Sequence, residues 1–214
     1  MRTADALGEL QRLRRPVIET GEAVARLDVS PTRASQILRS LEHAGVVARL
    51  KHGLWLLEPD VDPFVIPPYL TAPFSAYVSL WSALSKHGMI EQIPRTVFVC
   101  SLGRPQKVKT TRATYTIHHL AAEVFGGYTG TSDTGYLATP EKALFDSVYL
   151  PLARRRRLFL PELELTTDFD RGELDAWKDR IRAPWLRSAV SRELERLLVS
   201  TSASARRRGG LPSS

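Results

Sequence analysis

Residues 20–57, TGEAVARLDVSPTRASQILRSLEHAGVVARLKHGLWLL, say more about the architecture of this chain than any other stretch. The middle of the stretch carries the boundary signals of a helix. Ser30 suits the N-cap, Pro31 suits the first turn because the amide that proline lacks has no partner there, and Gly45 suits the end. Between these limits the apolar residues recur at helical spacing, at Ala34, Ile37, Leu38, Leu41 and Ala44. The pattern predicts an amphipathic helix over residues 31–44.

The opposite face of this helix is cationic and rich in hydroxyl and amide groups, and it carries no acid. Its members are Thr32, Arg33, Gln36, Arg39 and His43. Arginine pairs with guanine edges and glutamine with adenine edges, while hydroxyl groups contact phosphate. The face is therefore typical of a recognition helix in the major groove of DNA. The alternative is an ordinary solvated face of an amphipathic helix.

The flanking segments predict a winged helix-turn-helix. Thr20 suits the N-cap of a short preceding helix, and residues 28–30 make the turn between the two helices. After Gly45, residues 46–50 and 54–57 are strand-like and are joined by a short turn. We predict that the tip of this hairpin contacts the DNA backbone or the minor groove through a small basic group, formed by Arg49, Lys51 and His52.

Composition limits the class of protein. The chain has 214 residues, 43% of them hydrophobic, which is enough for one large or two small packed domains. It has no run of 18 or more apolar residues, and residues 1–15 alternate charged and apolar side chains, unlike a secretory signal. We expect a cytoplasmic protein without a membrane partner. The formal net charge of +7 favours a polyanionic partner.

We predict an α+β protein in which the winged helix-turn-helix is followed by a C-terminal domain of mixed helices and sheet. The predicted divisions are a DNA-binding domain (1–58), an extended proline-rich connector (59–73), an α+β domain (74–199) and a disordered basic tail (200–214). Within the α+β domain, we expect a helix capped by Ser75, strands over residues 96–102 and 111–119 paired as a hairpin, a short strand at residues 136–138 and a helix starting at Thr139.

Three segments of this second domain resemble one known family. They are SAYVSLWSALSKHGMIEQIPRTVFVCSLGR (75–104), TYTIHHL (114–120) and YLATPEKALFDSVYL (136–150). Following a predicted winged helix, they are similar to the AbiEi family of antitoxins and transcriptional regulators from type IV toxin-antitoxin systems. The resemblance covers about residues 20–150. It implies a non-enzymatic protein that represses its own operon through promoter DNA and counteracts a co-encoded nucleotidyltransferase-like toxin, directly or indirectly, through the second domain.

A second basic surface is predicted in this domain, because residues 86–119 contain one acid, Glu91, and several cations. We assign to it Arg95, Arg104, Lys107, Lys109 and Arg112. Such a surface can meet an acidic toxin, hold a nucleotide or tRNA, or extend the contact with DNA. A different possibility for the whole chain is a ligand-responsive one-component transcription factor without a toxin partner, which requires a sizeable apolar pocket.

The candidate catalytic groups each have a simpler explanation. His118 and His119 are adjacent, so on a strand they point to opposite faces and do not readily share a metal. Ser132–Gly135 suits a turn better than a protease motif. The single cysteine, Cys100, lies in an apolar run and is expected to be a buried structural thiol. No phosphate-binding loop is present. We therefore predict no catalytic residues, metal or cofactor, and a monomer or weak dimer.

Overall fold

The computed structural model describes the backbone of residues 3–208 and the side chains of residues 5–201. These residues form eight α-helices, two short 3-10 helices and nine strands in two sheets, which confirms the predicted α+β class. None of the helices within the described range combines the length and apolarity needed to cross a bilayer.

The N-terminal unit consists of three helices and a three-stranded antiparallel sheet with the order β1-β3-β2. Its elements are α1 (Thr3–Gln11), β1 (Val17–Glu19), α2 (Thr20–Leu27), α3 (Pro31–His43), β2 (Ala48–Lys51) and β3 (Leu54–Leu56). The predicted apolar stripe of α3 is buried at Ala34, Ile37, Leu38 and Leu41, although Ala44 is exposed. The two helices and the hairpin of residues 20–57 are thus present close to their predicted limits.

Helix capping was predicted correctly for α3 and wrongly for α2. The hydroxyl of Ser30 accepts a hydrogen bond from the amide of Arg33 at 3.3 Å, and Pro31 occupies the first turn. The cap of α2 is Glu19, which forms a capping box with Glu22, and Thr20 lies inside the helix. Thr20 does not cap because its hydroxyl accepts a hydrogen bond from the indole of Trp55 instead.

The remaining strands form one six-stranded mixed sheet with the order β6-β7-β5-β4-β9-β8. Its strands are β4 (Ala76–Val78), β5 (Val97–Ser101), β6 (Gln106–Lys109), β7 (Thr114–His119), β8 (Tyr128–Thr131) and β9 (Gly135–Ala138). The helices that follow or interrupt them are α5 (Leu80–Lys86), α6 (Pro140–Ala153), α7 (Arg171–Asp179) and α8 (Pro184–Arg208). As predicted, α6 is capped by Thr139, whose hydroxyl accepts from the amide of Lys142.

Two predictions of local structure in this half are corrected. The strands predicted at residues 96–102 and 111–119 exist as β5 and β7, but they are parallel neighbours and not a hairpin. The hairpin partner of β7 is β6, which forms from the segment that was expected to be a loop. The helix expected after Ser75 begins only at Leu80, because residues 76–78 form a strand with both faces buried. A short apolar run of this kind suits helix and strand equally.

Three apolar cores lie between the layers of the fold, while the outer strands β6 and β8 of the large sheet are mostly exposed. The N-terminal core fills the space between α1–α3 and one face of the three-stranded sheet, and includes Ile18, Ile37, Leu38, Trp55 and Leu57. The shared core lies between the two sheets, and includes Val17, Leu50, Leu54, Leu56, Val78, Val99 and Ile117. The helix-side core lies between the far face of the six-stranded sheet and the later helices, and includes Tyr77, Leu84, Phe145, Trp177 and Val190. The layers therefore follow one another from α3 to α6, and the apolar side chains of the shared core join the two sheets.

The proline-rich segment 59–73 is not the extended connector that was predicted. It forms a 3-10 helix (Pro63–Val65) and the short helix α4 (Pro67–Thr71), each with a proline in its first turn, where the missing amide is harmless. Ile66 and Leu70 are buried in the shared core. A Cβ at Gly135 would collide with the carbonyl of Phe64. The segment is thus packed into the protein.

The predicted disordered tail is also corrected in part. Helix α8 runs through residues 200–208, so the chain does not lose regular structure at residue 200. Residues 209–214 of the predicted tail lie outside the described residues.

A buried ion pair within α6 lies where this helix packs on the six-stranded sheet. The ammonium of Lys142 contacts the carboxylate of Asp146 one turn away, and both side chains are fully buried. Asp146 also accepts hydrogen bonds from the hydroxyls of Tyr77 at 3.0 Å and Ser79 at 2.7 Å. The ammonium lies over three aromatic rings, those of Tyr77, Phe145 and Trp177, at 4.6–5.7 Å from their centroids. Each buried charge therefore has several partners.

The neighbouring thiol is inert. Cys100 is fully buried beside Asp146, with Sγ at 3.6 Å from the carboxylate. Burial, and then the negative charge of Asp146, raise the pKa of Cys100 well above its usual value. The thiol therefore stays protonated, and the predicted structural role fits its surroundings.

Removing one member of the buried pair should strongly destabilise the fold. Asp146→Ala leaves an unpaired buried ammonium, and we expect a loss of about 3–5 kcal/mol in the free energy of unfolding, measured by urea denaturation. Asp175→Ala is the control, because the Asp175 side chain is 62% exposed and its ion pair with Lys178 should contribute less than about 1 kcal/mol. The double variant Lys142→Met/Asp146→Leu should be more stable than Asp146→Ala. Equally small losses of unfolding free energy in all three variants would show that the buried pair does not stabilise the fold in this way.

Candidate nucleic-acid interface

The outward face of α3 is uncovered. Thr32, Arg33, Gln36 and Arg39 are all exposed, and the rest of the described chain packs on the opposite side of the helix. The guanidinium of Arg33 donates to the side-chain oxygen of Gln36 at 3.4 Å, which holds the two side chains side by side. The 13-residue helix is about 20 Å long. A rod of this size with free polar side chains on its outer surface can enter a major groove.

A cleft between α3 and the hairpin gathers three of the predicted residues. Arg39 from α3 and Arg49 and His52 from the hairpin line a cleft of about 290 Å³. Nη2 of Arg49 lies 3.2 Å from Nδ1 of His52, and the Arg49 guanidinium lies over the ring of Trp55 at 5.7 Å from its centroid. The Trp55 ring and the His52 imidazole thus hold the Arg49 guanidinium in this position. The cleft thus places the guanidinium groups of two arginines and an imidazole around one opening, and such nitrogen donors bind an oxyanion such as a phosphate.

Two residues that sequence reasoning did not assign to the site hold the hairpin in place. The indole N–H of Trp55 donates to the hydroxyl of Thr20 at 2.9 Å, and the amide of Thr20 donates to the carbonyl of Gly53 at 2.8 Å. Gly53 turns the hairpin with a φ of +75°, which favours glycine. One signal in the sequence pointed to this contact. Trp55 stands among leucines in a predicted strand, and a buried indole N–H needs a hydrogen-bond acceptor.

Charge pairing separates this face from the rest of the unit. Glu9 forms ion pairs with Arg12 and Arg26, and Glu22 forms one with Arg15. Among the described residues, no carboxylate pairs with the arginines of α3 and the hairpin, which are Arg33, Arg39 and Arg49. The ion pairs of Glu9 and Glu22 therefore neutralise arginines outside α3 and the hairpin, and leave Arg33, Arg39 and Arg49 without a paired acid among the residues that the structure describes.

Lys51 does not join Arg49 and His52. A β-bulge lies between Arg49 and Lys51, and the Lys51 ammonium donates to the carbonyl of Leu70 in α4 at 3.1 Å. Lys51 thus turns towards the second half of the chain, where it lines a depression with Arg104 and Gln106. Our prediction placed it with the wing-tip residues because sequence alone does not show the bulge.

The second basic surface is spread along the edge strand β6. Lys107 and Lys109 are exposed on this strand. Arg95 and Arg112 precede the parallel strands β5 and β7, so they lie at the same end of the sheet as Lys109, whereas Arg104 follows β5 at the opposite end. The five cations therefore form no single cluster: two lie on the edge strand, two at one end of the sheet and one at the other end. Lysines on an edge strand also prevent pairing with other sheets, which is the simplest explanation for two of them.

The histidines and the predicted turn lie apart from any catalytic arrangement. The guanidinium of Arg154 donates to His118 at 3.2 Å, and His119 donates to the carbonyl of Gly103 at 3.1 Å, so the two rings have different surroundings. Residues 132–134 form the tight turn between β8 and β9, as predicted. In the portion of the chain with described side chains, no three His, Cys, Asp or Glu residues are grouped so that they can hold a metal ion.

The chain matches no protein-family model, and no curated protein matches its sequence.

The bond between Trp55 and Thr20 should support the hairpin measurably. Thr20→Val keeps the shape of the side chain but removes the acceptor of the buried indole N–H, and we expect a loss of about 1–3 kcal/mol in the free energy of unfolding, measured by chemical denaturation. Thr32→Val is the matched control, since Thr32 is exposed on α3 and should change stability little. Equal stability of the two variants would show that the bond does not support the hairpin.

Proposed function

We propose that residues 1–58 form a winged helix-turn-helix that binds double-stranded promoter DNA, with α3 in the major groove and the β2–β3 hairpin as its wing. The observation that carries this proposal is the uncovered, unneutralised face of α3 together with the adjoining cleft of Arg39, Arg49 and His52. Anionic backbone phosphates complement this surface, and base edges complement the paired side chains of Arg33 and Gln36.

The residues divide into two roles in this proposal. Arg33 and Gln36 read base edges, because they project from the middle of the exposed face and already share a hydrogen bond. Arg39, Arg49 and His52 hold a backbone phosphate and thereby fix the register of α3, and Thr32 at the start of the helix contacts the backbone as well. Lys51 contributes little to DNA binding in this proposal, because its ammonium donates a hydrogen bond to the carbonyl of Leu70.

The two roles predict different binding defects. Arg33→Ala should weaken binding to the specific operator by about 1–3 kcal/mol and relax its base preference, while Arg49→Ala should weaken all duplexes alike and lower the salt slope by about 1. Lys51→Ala should do less than Arg49→Ala. The measurement is fluorescence anisotropy with the upstream DNA of the protein's own operon and a scrambled duplex, over a range of salt concentrations.

Arg192→Ala is the control for this experiment, because it removes an equal charge from the exposed surface of α8. Unchanged affinity in both Arg33→Ala and Arg49→Ala would rule out the assigned interface. If Arg192→Ala weakened binding as much as Arg49→Ala does, the loss of affinity would come from the change in net charge and not from a contact of Arg49.

We further propose that the protein is a cytoplasmic autorepressor and antitoxin, without enzymatic activity. The support is the resemblance of residues 20–150 to AbiEi antitoxins, together with an exposed basic edge that the DNA-binding role does not use. In this role the edge strand β6 meets an acidic surface of a co-encoded nucleotidyltransferase-like toxin. Because the shared core joins both halves, a truncated chain would expose Leu54 and Leu56, so the role is best tested on the full chain.

Charge reversal on β6 should abolish protection from the toxin. Lys107→Glu/Lys109→Glu in the full-length chain should fail to rescue growth when the neighbouring toxin gene is co-expressed, because two exposed cations become acids facing an acidic partner. The matched control is Arg33→Ala/Arg39→Ala, which should lose operator binding but still rescue. Full rescue by the β6 variant would refute this surface, and failure of the wild-type chain to rescue would refute the antitoxin role itself.

A further inference from the structure

Two large aromatic side chains are exposed beside a run of arginines after the end of α6. Phe159 is 76% exposed and Trp185 is 54% exposed. The four consecutive arginines 154–157 are all exposed as well. We call this group of six residues the aromatic-basic surface. Neither the proposed DNA contact nor the edge strand β6 includes any of its members.

A series of rings leads inward from this surface. The ring of Phe159 lies 5.8 Å from that of Trp81, Trp81 lies 6.4 Å from Phe98, and Phe98 lies 6.1 Å from His118, measured between centroids. The underlying rings hold Phe159 in place while its outer surface stays free. The guanidinium of Arg155 lies over the ring of Trp185 at 5.6 Å from the centroid. The surface thus has fixed aromatic planes and a guanidinium already stacked on one of them.

The arginines carry the positive charge of this surface, and the histidine beneath them adds none. Burial, and then the nearby charges of Arg154 and Arg156, lower the pKa of His118 to about 4, so the imidazole is neutral. Its Nδ1 accepts from Arg154, which leaves the proton on Nε2, a buried atom without a hydrogen-bond partner in the described part of the protein. No ion pair with a described acid includes any of the arginines 154–157. An anion is therefore the natural complement of the site.

We propose that the aromatic-basic surface binds single-stranded nucleic acid, with bases stacked on Phe159 and Trp185 and phosphates held by the arginines. A single strand presents a flat ring and an anion in every unit, and the surface presents planes and guanidinium groups side by side. Duplex DNA hides its base faces and cannot use an exposed phenyl ring in this way. An acidic protein segment would pair with the arginines, but it would make no use of the exposed aromatic rings.

This site is distinct from the proposed duplex site. The rings that lie under Phe159, those of Trp81 and Phe98, pack on the helix-side core, on the far face of the six-stranded sheet, whereas α3 packs on the N-terminal core. A duplex seated on α3 therefore does not approach Phe159. Binding at the two places can be measured independently, and failure of one leaves the other standing.

The test uses the full-length chain and labelled oligouridine and oligothymidine of about 12 nucleotides, with anisotropy measured over a range of salt concentrations. Phe159→Ala should weaken binding by about 5- to 140-fold, the value of one stacked base, without changing the salt slope. Arg154→Ala/Arg156→Ala should lower the slope by about 1.4, because two phosphate contacts are lost from a single strand. Both variants should bind the operator duplex as the wild-type chain does.

The control Arg171→Ala/Arg192→Ala removes two exposed cations of the same half and should leave single-strand affinity and slope nearly unchanged. Phe159 is exposed, so its substitution is not expected to unfold the protein, and a thermal melt verifies this. The proposal is overturned if the wild-type chain binds neither oligonucleotide, if Phe159→Ala binds them normally, or if Arg39→Ala/Arg49→Ala abolishes single-strand binding. Capture of an acidic protein by this surface without oligonucleotide binding overturns it as well.

Discussion

The burial of both faces of strand β3 fixes the relation between the two halves of this protein. Successive side chains of a strand point to opposite faces, so Leu54 and Leu56 enter the shared core while Trp55 and Leu57 enter the N-terminal core. A central strand covered on both faces is continuously apolar, which is why residues 54–57 read LWLL. Through this strand the N-terminal unit packs against the six-stranded sheet at the shared core.

This attachment gives the proposed DNA contact its geometry. The same strand that anchors the sheet carries Trp55, whose ring supports Arg49 and whose indole N–H holds Thr20. The front of α3 is polar and free, because the buried apolar residues of α3, which are Ala34, Ile37, Leu38 and Leu41, lie on its opposite side. The folded proline-rich segment adds to this packing, since Ile66 and Leu70 are buried in the shared core.

Local signals in the sequence sufficed for the N-terminal elements. The cap of Ser30, the proline that follows it and the apolar spacing of α3 act within a few residues of one another, so the helix and its exposed face were predicted correctly. Non-local contacts were the source of the errors. Sequence does not show that β6 pairs with β7 and displaces β5 to the other side, or that a bulge turns Lys51 towards Leu70. The pairing of Lys142 with Asp146 had a signal, their spacing of one helical turn within an apolar helix, which the sequence analysis did not use.

The central claim is that the front of α3 and the hairpin meet duplex DNA. Nuclear magnetic resonance of the arginine Nε–Hε groups during titration with the operator tests it most directly, because the unit contains its own controls. The account predicts shifts for Arg33, Arg39 and Arg49, and little change for the arginines paired with acids at the back, Arg12, Arg15 and Arg26. Shifts confined to the back of the unit, or to the arginines of the six-stranded sheet, would contradict the account.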